Sequence, residues 1–444
     1  MRRRLLSLLA VCFSALLEAG SLPGLEPVDC DVCIVGGGAA GIAAALQAGR
    51  AGVRTVLVEQ GGQVGGNMTS GGVNFPGLFH AWGRQVIDGY AYCLLTNCVL
   101  SSGAKLPDFS MPDDLSTWRH PRHQISFDIP LYVALAEEAL GQAGVRILYY
   151  TAPQAVVRGA DGWTVETVAL GAARTIRARQ LVDTTGNGTV AAMAGGRLMR
   201  DAVTSPGSLA YRLRVPEDAA VDEKALQAAF VREVAAGRLL KSDLRYDIGS
   251  FLKAGGGVNN YVPDADNSTA ELRADTNRRG RAAMLRMYRF LRSQPGLEGV
   301  RLESMSPEVG VRETSRVEGD CVVTQDDYVS GRVFDDAVCY AFYPIDLHDV
   351  GTGVKPRKLA PGVVATVPLA ALRVKGVPDL WVAGRCMSSD RLANSALRVE
   401  ATCMATGQVV GEAAALAARK GAHAAGLDIG ELRGRLRKTG AIVP

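Results

Sequence analysis

Short apolar runs rich in β-branched residues alternate along this chain with stretches of helical period, and the clearest alternation comes early. Asp31-Val-Cys-Ile-Val35 predicts a strand, the small-residue stretch Ala39 to Arg50 a helix, and Thr55-Val-Leu-Val58 a second strand, which together make a βαβ unit. Asp128-Ile-Pro130 opens a helix running to about Ala143, with Pro near its first turn and Gly144 as its stop. Val145 to Tyr150 then reads as a strand, and Ala155 to Val157, Thr164 to Leu170 and Thr175 to Arg179 alternate around turn signals as a small sheet. Gln180-Leu-Val-Asp-Thr-Thr-Gly-Asn-Gly188 is another strand that ends in a glycine turn.

From Leu198 to about Phe342 this pattern is interrupted. Helices are predicted near Asp222 to Gly237 and Ala270 to Ser293, with Ala225, Phe230 and Val234, and Met284, Met287 and Leu291, as core faces. Glu308 to Arg316 looks extended, which would put Arg312, Thr314 and Arg316 on one face and Glu313 with Ser315 on the other. The earlier strand-and-glycine-turn pattern returns with Asp379-Leu-Trp-Val-Ala-Gly-Arg385, a strand entering a glycine turn, and a helix from about Val399 to Ala418 in which Gly407 and Gly411 are close-packing points. The basic tail from Gly421 reads as a solvated helix and loop.

The glycines carry the first chemistry. Gly36, Gly38 and Gly41 have G-x-G-x-x-G spacing between the first strand and the helix. Gly36 allows the tight turn, Gly38 removes the Cβ that would hold a pyrophosphate away from the backbone, and Gly41 lets helix and strand approach closely. The helix beginning at Ala39 and Ala40 then turns free N–H groups and its positive end toward the phosphates. Glu59 closes the second strand, where a carboxylate accepts ribose hydroxyls and repels a 2′-phosphate, which disfavours NADP.

After Glu59 comes Gln60-Gly-Gly-Gln-Val-Gly-Gly-Asn-Met-Thr-Ser-Gly-Gly72, a loop with three Gly-Gly pairs where an NAD site would usually continue into a helix. With Gly65-Gly-Asn-Met-Thr-Ser-Gly-Gly72, Phe75 to Gly83 and Val311-Arg-Glu-Thr-Ser-Arg316, the chain resembles the two-dinucleotide-binding-fold flavoproteins, specifically the FAD-dependent oxidoreductase family that includes heterodisulfide reductase A-subunit-like proteins. The resemblance runs in pieces from about Asp29 to Ala418. It implies an α/β fold in which a Rossmann-like FAD-binding domain, with a parallel sheet and a crossover β-sheet, is interrupted by an α+β substrate or cap domain. The expected divisions are 1–21 as signal peptide, 29–197 as the first part of the FAD domain with an irregular insertion at 73–124, 198–342 as cap, 343–420 as the returning part and 421–444 as tail. By the same resemblance FAD would lie against Gly65, Gly66, Asn67 and Met68, meet backbone at Val156, and approach Gly186 and Gly384. The last helix would then face the pyrimidine end of the flavin, and its start is less regular than in relatives because Ala401 stands where they commonly have proline.

Composition narrows the class. The 444 residues are 48% hydrophobic and 21% charged, which suits a globular protein of two or three structural units. Losing Arg2, Arg3, Arg4 and Glu18 with a signal peptide would take the formal charge from +4 to +2. A near-neutral chain without clustered basic and aromatic residues gives no support for nucleic-acid binding. No apolar run beyond the N-terminus approaches the roughly 20 residues that span a bilayer. Three arginines, the apolar Leu5 to Leu17 and the small residues Ala19-Gly-Ser21 predict export to the periplasm or exterior, with a weak twin-arginine likeness at Arg2 to Leu6; a cytoplasmic protein is the alternative.

Nine cysteines leave eight after Cys12 is removed. Cys30 and Cys33, three apart on a strand, are expected on opposite faces and so poorly placed to share a metal or a bridge. Nothing matches an iron–sulfur ligand run, unlike heterodisulfide reductase A-subunits, and no metal site is expected.

FAD chemistry needs a group that removes a substrate proton, and histidine supplies it near neutrality. His348, in Tyr343-Pro-Ile-Asp-Leu-His348, is the first candidate, with a structural histidine as the competing reading; His80, beside Trp82 in the loop after the glycine pairs, is second, as a flavin contact or tether. His120 and His123 share that insertion, and His423 in the tail is discounted. Arg312, Arg316 and Arg398 would bind an anionic substrate or steady reduced flavin, or else form surface ion pairs.

The leading expectation is an exported FAD-dependent oxidoreductase that oxidises a small organic molecule, such as a sugar-like alcohol, by hydride transfer to flavin N5 and passes electrons to oxygen or another acceptor. The alternatives are a fumarate-reductase-like or ketosteroid-dehydrogenase-like C=C oxidoreductase with an arginine as proton donor, an electron-transfer subunit of a heterodisulfide-reductase-like assembly, and a flavin-free interaction protein. Export predicts that protein recovered from its native host begins near Leu22 by terminal sequencing; an N-terminus still at Met1 would contradict it.

Overall fold

The structure is a computed structural model that describes residues 23–110, 123–245, 247–349 and 353–444. The expected signal peptide and His120 lie outside the described residues.

The expected βαβ unit forms with β1 (Val28–Val35), α1 (Ala39–Arg50) and β2 (Thr55–Val58). Helix α2 (Tyr90–Ser101) falls inside the otherwise irregular insertion, where the sequence allows a helix over Val86 to Leu100, and α3 (Ile129–Gln142) starts with the Asp128 side chain accepting from the Leu131 amide. Strands β3 (Arg146–Leu148), β4 (Thr151–Gly159), β5 (Gly162–Ala169) and β6 (Ala172–Asp183) follow. With β7 (Leu380–Val382), a late return of the chain, they complete one sheet in the order β3-β2-β1-β6-β5-β4, β7 pairing on β6.

The pairs β3–β2–β1–β6–β7 are parallel, whereas β6–β5 and β5–β4 are antiparallel. The two segments read separately as Thr175 to Arg179 and the strand from Gln180 are therefore one strand. Its first half belongs to the crossover sheet and its second half to the parallel core, because β1 pairs along both, from Val28 with Ile176 to Val35 with Asp183.

A local irregularity corrects the expectation for the cysteines. The amides of Asp31 and Val32 both donate to the Arg54 carbonyl, at 2.8 and 3.2 Å, and side-chain alternation along β1 shifts there. Val28 and Cys30 before it, and Cys33 and Val35 after it, all pack in the same apolar cluster, so Cys30 and Cys33 share a face.

Within the stretch expected as a cap lies a three-stranded antiparallel sheet (Gly256–Val262, Gly207–Arg214 and Arg301–Met305) that packs with the helices Glu223–Ala235 and Ala270–Arg292. Met284, Met287 and Leu291 face its core as expected; on the other helix Leu226, Ala229 and Phe230 do, while Ala225 is exposed and Val234 half-buried. Only Arg316–Val317 of the block read as extended is a strand, so its residues do not alternate between two faces.

The last long helix, α4 (Glu400–Lys420), is buried against α1. A Cβ on Gly407 would lie 2.2 Å from the Ala40 carbonyl oxygen, and one on Gly411 2.3 Å from that of Ala44, so the two backbones touch at both points. The tail is not solvated: α5 (Ile429–Lys438) buries Leu432 and Leu436 completely, and Arg435 pairs with the buried Glu412, which also accepts from Gln47 at 2.6 Å. Its charged residues hide a one-sided apolar stripe.

These contacts predict that Gly407→Ala lowers thermal stability by about 1–3 kcal/mol through overpacking, whereas Gly434→Ala in α5, where nothing lies within 4 Å of the added methyl, is neutral or mildly stabilising. Equal melting temperatures for the two variants would contradict this packing.

Candidate active site and cofactor cavity

At the end of β1 the chain turns through Gly36 at φ +104°, and a Cβ there would sit 2.6 Å from the Thr184 carbonyl oxygen, so only glycine fits. Gly41 is tighter still, with a Cβ 1.8 Å from the Gly36 carbonyl oxygen, and this lets α1 begin directly above the turn. Gly38 differs from both: a Cβ on it would meet nothing within 4 Å. It borders a cavity of about 690 Å³, so the missing side chain leaves room for a ligand and does not relieve a clash within the protein.

Ala39 and Ala40, at the first turn of α1, Gly65, Gly66, Asn67 and Met68, and Gly186, Gly384, Arg398 and Glu400 line the same cavity. Glu59 closes one end, its two carboxylate oxygens accepting the amides of Gly37 (2.7 Å) and Gly61 (2.6 Å). Burial pushes its carboxyl up, and those two amides oppose the shift. Each oxygen retains a second lone pair for a hydroxyl. Arg385, absent from the sequence-based candidates, is half-buried in the cavity wall, its guanidinium held by Gly186 O (2.9 Å), Asn187 Oδ1 (2.8 Å) and Val311 O.

A smaller chamber of about 80 Å³ adjoins this cavity and shares Asn67, Arg398 and Glu400 with it. His348 lines the chamber on the strand Ile345–Asp349, which pairs with Gly353–Arg357. Its Nε2 lies 2.8 Å from Asp346 Oδ2 and its Nδ1 2.6 Å from Tyr261 Oη. A carboxylate only accepts, so Nε2 carries the proton, and Nδ1 accepts the Tyr261 hydroxyl. Burial, followed by the charges of Arg312 and Arg398, outweighs the Asp346 contact and holds the imidazole down at about 3, so it is neutral at physiological pH. Arg312 also borders the chamber, donating to the Pro206 carbonyl at 2.6 Å.

Residues 31–436 match the family model described as FAD dependent oxidoreductase. The chain belongs to the FAD dependent oxidoreductase family. It is 44% identical over 62 residues to thiamine thiazole synthase of Methanococcoides burtonii, covering 14% of this chain and 24% of that protein. The chain thus spans about a quarter of the length of that curated relative. Among solved structures it is similar to a geranylgeranyl bacteriochlorophyll reductase-like protein of Thermoplasma acidophilum (10% identity, 94% of this chain and 85% of that one, TM-score 0.39). It is also similar to THI4 of Thermovibrio ammonificans (17% identity, 52% and 81%, TM-score 0.28).

The cofactor of this FAD dependent oxidoreductase is FAD, and the cavity suits it: glycine backbone and a helix start for the pyrophosphate, and a carboxylate with spare lone pairs for a ribose. Several sequence-predicted residues sit elsewhere. Gly41 stands behind the wall and acts by close packing. Val156 packs into the apolar cluster on the far side of the sheet, and Thr151 and Pro153, earlier on β4, form that part of the cavity wall instead. His80 stacks on Phe109, ring centroids 3.8 Å apart and 6° from parallel, and lines neither the cavity nor the chamber, so it is not placed as a flavin contact or tether. Arg316 is taken up by Asp201 (2.6 Å) and the Ser389 carbonyl (2.9 Å), away from both spaces.

The residues missed by sequence, Arg385, Tyr261, Asp346 and Ser208, come from four separate segments. Arg385, next to the Gly384 turn, and Asp346, two residues before His348, had a local signal; Tyr261 and Ser208, which lines the chamber, had none. The Ala401 departure has a structural reason: its amide donates to the Pro76 carbonyl at 2.8 Å, a bond proline could not make. Because a Cβ on Gly38 would meet nothing within 4 Å, Gly38→Val should leave the stability of the apoprotein unchanged within about 0.5 kcal/mol while the protein is isolated largely without FAD; normal flavin content would contradict its assigned place.

Proposed function

We propose that this flavoenzyme oxidises a small hydroxyl-bearing organic molecule in the chamber beside His348. The observation carrying this reading is the neutral histidine held between Tyr261 and Asp346 at a chamber that shares Asn67, Arg398 and Glu400 with the FAD cavity. Bound FAD supplies the acceptor of the substrate's hydride at flavin N5. The protein's part is to orient the alcohol and take its proton. The substrate O–H sits at the Asp346–His348 end of the chamber and gives its proton to that hydrogen-bonded pair, while Tyr261, behind the wall, holds the imidazole through Nδ1. The chamber volume argues for a molecule smaller than a sugar: about 80 Å³ takes roughly half a dozen water-sized atoms.

A second reading, C=C reduction or dehydrogenation with Arg312 as proton donor, draws support from one observation. Burial brings that guanidinium down to about 10, which makes it a better acid than an exposed arginine. Anaerobic bleaching of bound flavin by alcohols, against reoxidation of reduced flavin by activated alkenes, separates the two.

His348→Gln is expected to keep FAD bound and to slow flavin reduction by about 10²–10⁴-fold, the usual worth of a general base. The low histidine pKa in the free enzyme adds that kcat/KM shows no break near pH 6.5, where an ordinary histidine titrates. Single-turnover reduction at the wild-type rate would remove His348 from the reaction.

A further inference from the structure

Positive charge is crowded around the His348 chamber. The Arg245 guanidinium lies 4.7 Å from the Tyr261 ring centroid and that of Arg312 5.5 Å from it, while Arg398 Nη2 is 3.9 Å from Asp346 Oδ2. Arg312 is lowered first by burial and then by repulsion from Arg398, with Arg245 adding to it. Of the described carboxylates at the wall, Asp346 is shared with His348 and Arg398, and burial raises Glu400 toward its neutral form. Like charges brought together in a low-dielectric pocket favour an anionic guest.

Two further atoms say what else the guest carries. Ser208 Oγ and Asp346 Oδ1 are buried on residues 3% and 6% exposed, both residues line the chamber, and neither atom has a hydrogen-bond partner. Native proteins rarely leave such atoms unmatched, and a ligand is one way to satisfy them. Ser208 offers a donor for an anion; Asp346 Oδ1, an acceptor beside the proton-taking histidine, asks for a hydroxyl. An amino group would arrive as a cation among arginines, which disfavours it.

We infer that the chamber binds a small 2-hydroxy acid, its carboxylate on Arg312 and the Ser208 hydroxyl and its hydroxyl at the Asp346–His348 end. This rests on the chamber being the substrate site of the oxidation proposed above. It also gives the base its timing. After burial, the charges of Arg312 and Arg398 help keep His348 from accepting a proton, and a carboxylate between them offsets that part of the repulsion, so the imidazole is more basic when the substrate is in place.

The test is calorimetric titration of the FAD-loaded protein with 2-hydroxyisobutyrate, which has no hydrogen on its carbinol carbon and so binds without being oxidised, against its neutral amide. The acid is expected to bind at least tenfold tighter than the amide. Ser208→Ala, a small change in a buried site, should weaken the acid about tenfold or more, the worth of one hydrogen bond to a charged group, and leave the amide unaffected. Arg312→Gln should erase the preference for the acid. Equal affinities for acid and amide, or unchanged acid binding in Ser208→Ala, would overturn the inference. So would an Arg312→Gln variant whose flavin potential shifts while acid affinity stays the same, because the arginines would then serve the reduced flavin.

The two proposals fail separately. If other alcohols reduce the flavin in a His348-dependent way but the acid does not bind, the inference falls and the oxidation stands. If the acid binds as described but no alcohol or hydroxy acid reduces the flavin, the oxidation falls and the binding site stands.

Discussion

Backbone laid directly on backbone around α1 is the constraint on which this structure depends. Gly41 brings the helix onto the Gly36 carbonyl, and Gly407 and Gly411 bring α4 onto the carbonyls of Ala40 and Ala44. Neither approach tolerates a methyl group. Two residues far apart in sequence, Gly38 and Glu400, thereby reach the walls of one cavity, each at the start of a long helix. An elongated ligand with a phosphate group toward one end and a ring that becomes anionic on reduction toward the other matches that pair of positive helix ends. The binding of FAD is in this sense a consequence of how closely two helices pack.

The adjoining chamber is built on the opposite economy. The cofactor cavity combines glycine backbone with side chains of both charges, such as Glu59 and Arg385, whereas the chamber gathers guanidinium groups around a histidine that burial keeps neutral. Such crowding costs folding stability, as functional sites commonly do. The tyrosine between Arg245 and Arg312 moderates it, since its ring face attracts cations while its hydroxyl reaches His348. Two distant parts of the chain contribute: Ser208 lines the chamber from the strand Gly207–Arg214 with Tyr261 behind it on Gly256–Val262, and His348 and Arg398 come from the returning chain.

The parts legible in the sequence were those that local physics decides. The bounds of α1 and β2 follow from apolar period and glycine spacing, and Gly407 and Gly411 from small residues on a buried helix. What was misread depends on distant partners. Arg312, Thr314 and Arg316 looked like one face of a strand, yet each side chain is claimed by a different segment: Pro206, Asn267 and Asp201. His80 sat in a suggestive loop, but Phe109 takes its ring. The tail was judged by its charges, while two leucines one turn apart decided its place. Cys30 and Cys33 obeyed the rule of alternation until a bulge at Asp31 reset it. Of the Tyr261–His348–Asp346 arrangement, His348 and Asp346 are two residues apart in one legible block, whereas the hydrogen bond to Tyr261 crosses 87 residues and leaves no local trace.

The most direct measurement of the account's central claim is the visible absorption spectrum of the freshly purified protein, repeated on the supernatant after acid precipitation. The structure predicts flavin bands in the protein and their full release as free FAD, because the cavity is shaped for the cofactor and the histidine that could have tethered it lies elsewhere. A colourless protein that takes up no added FAD, or flavin that stays with the precipitate, would contradict it.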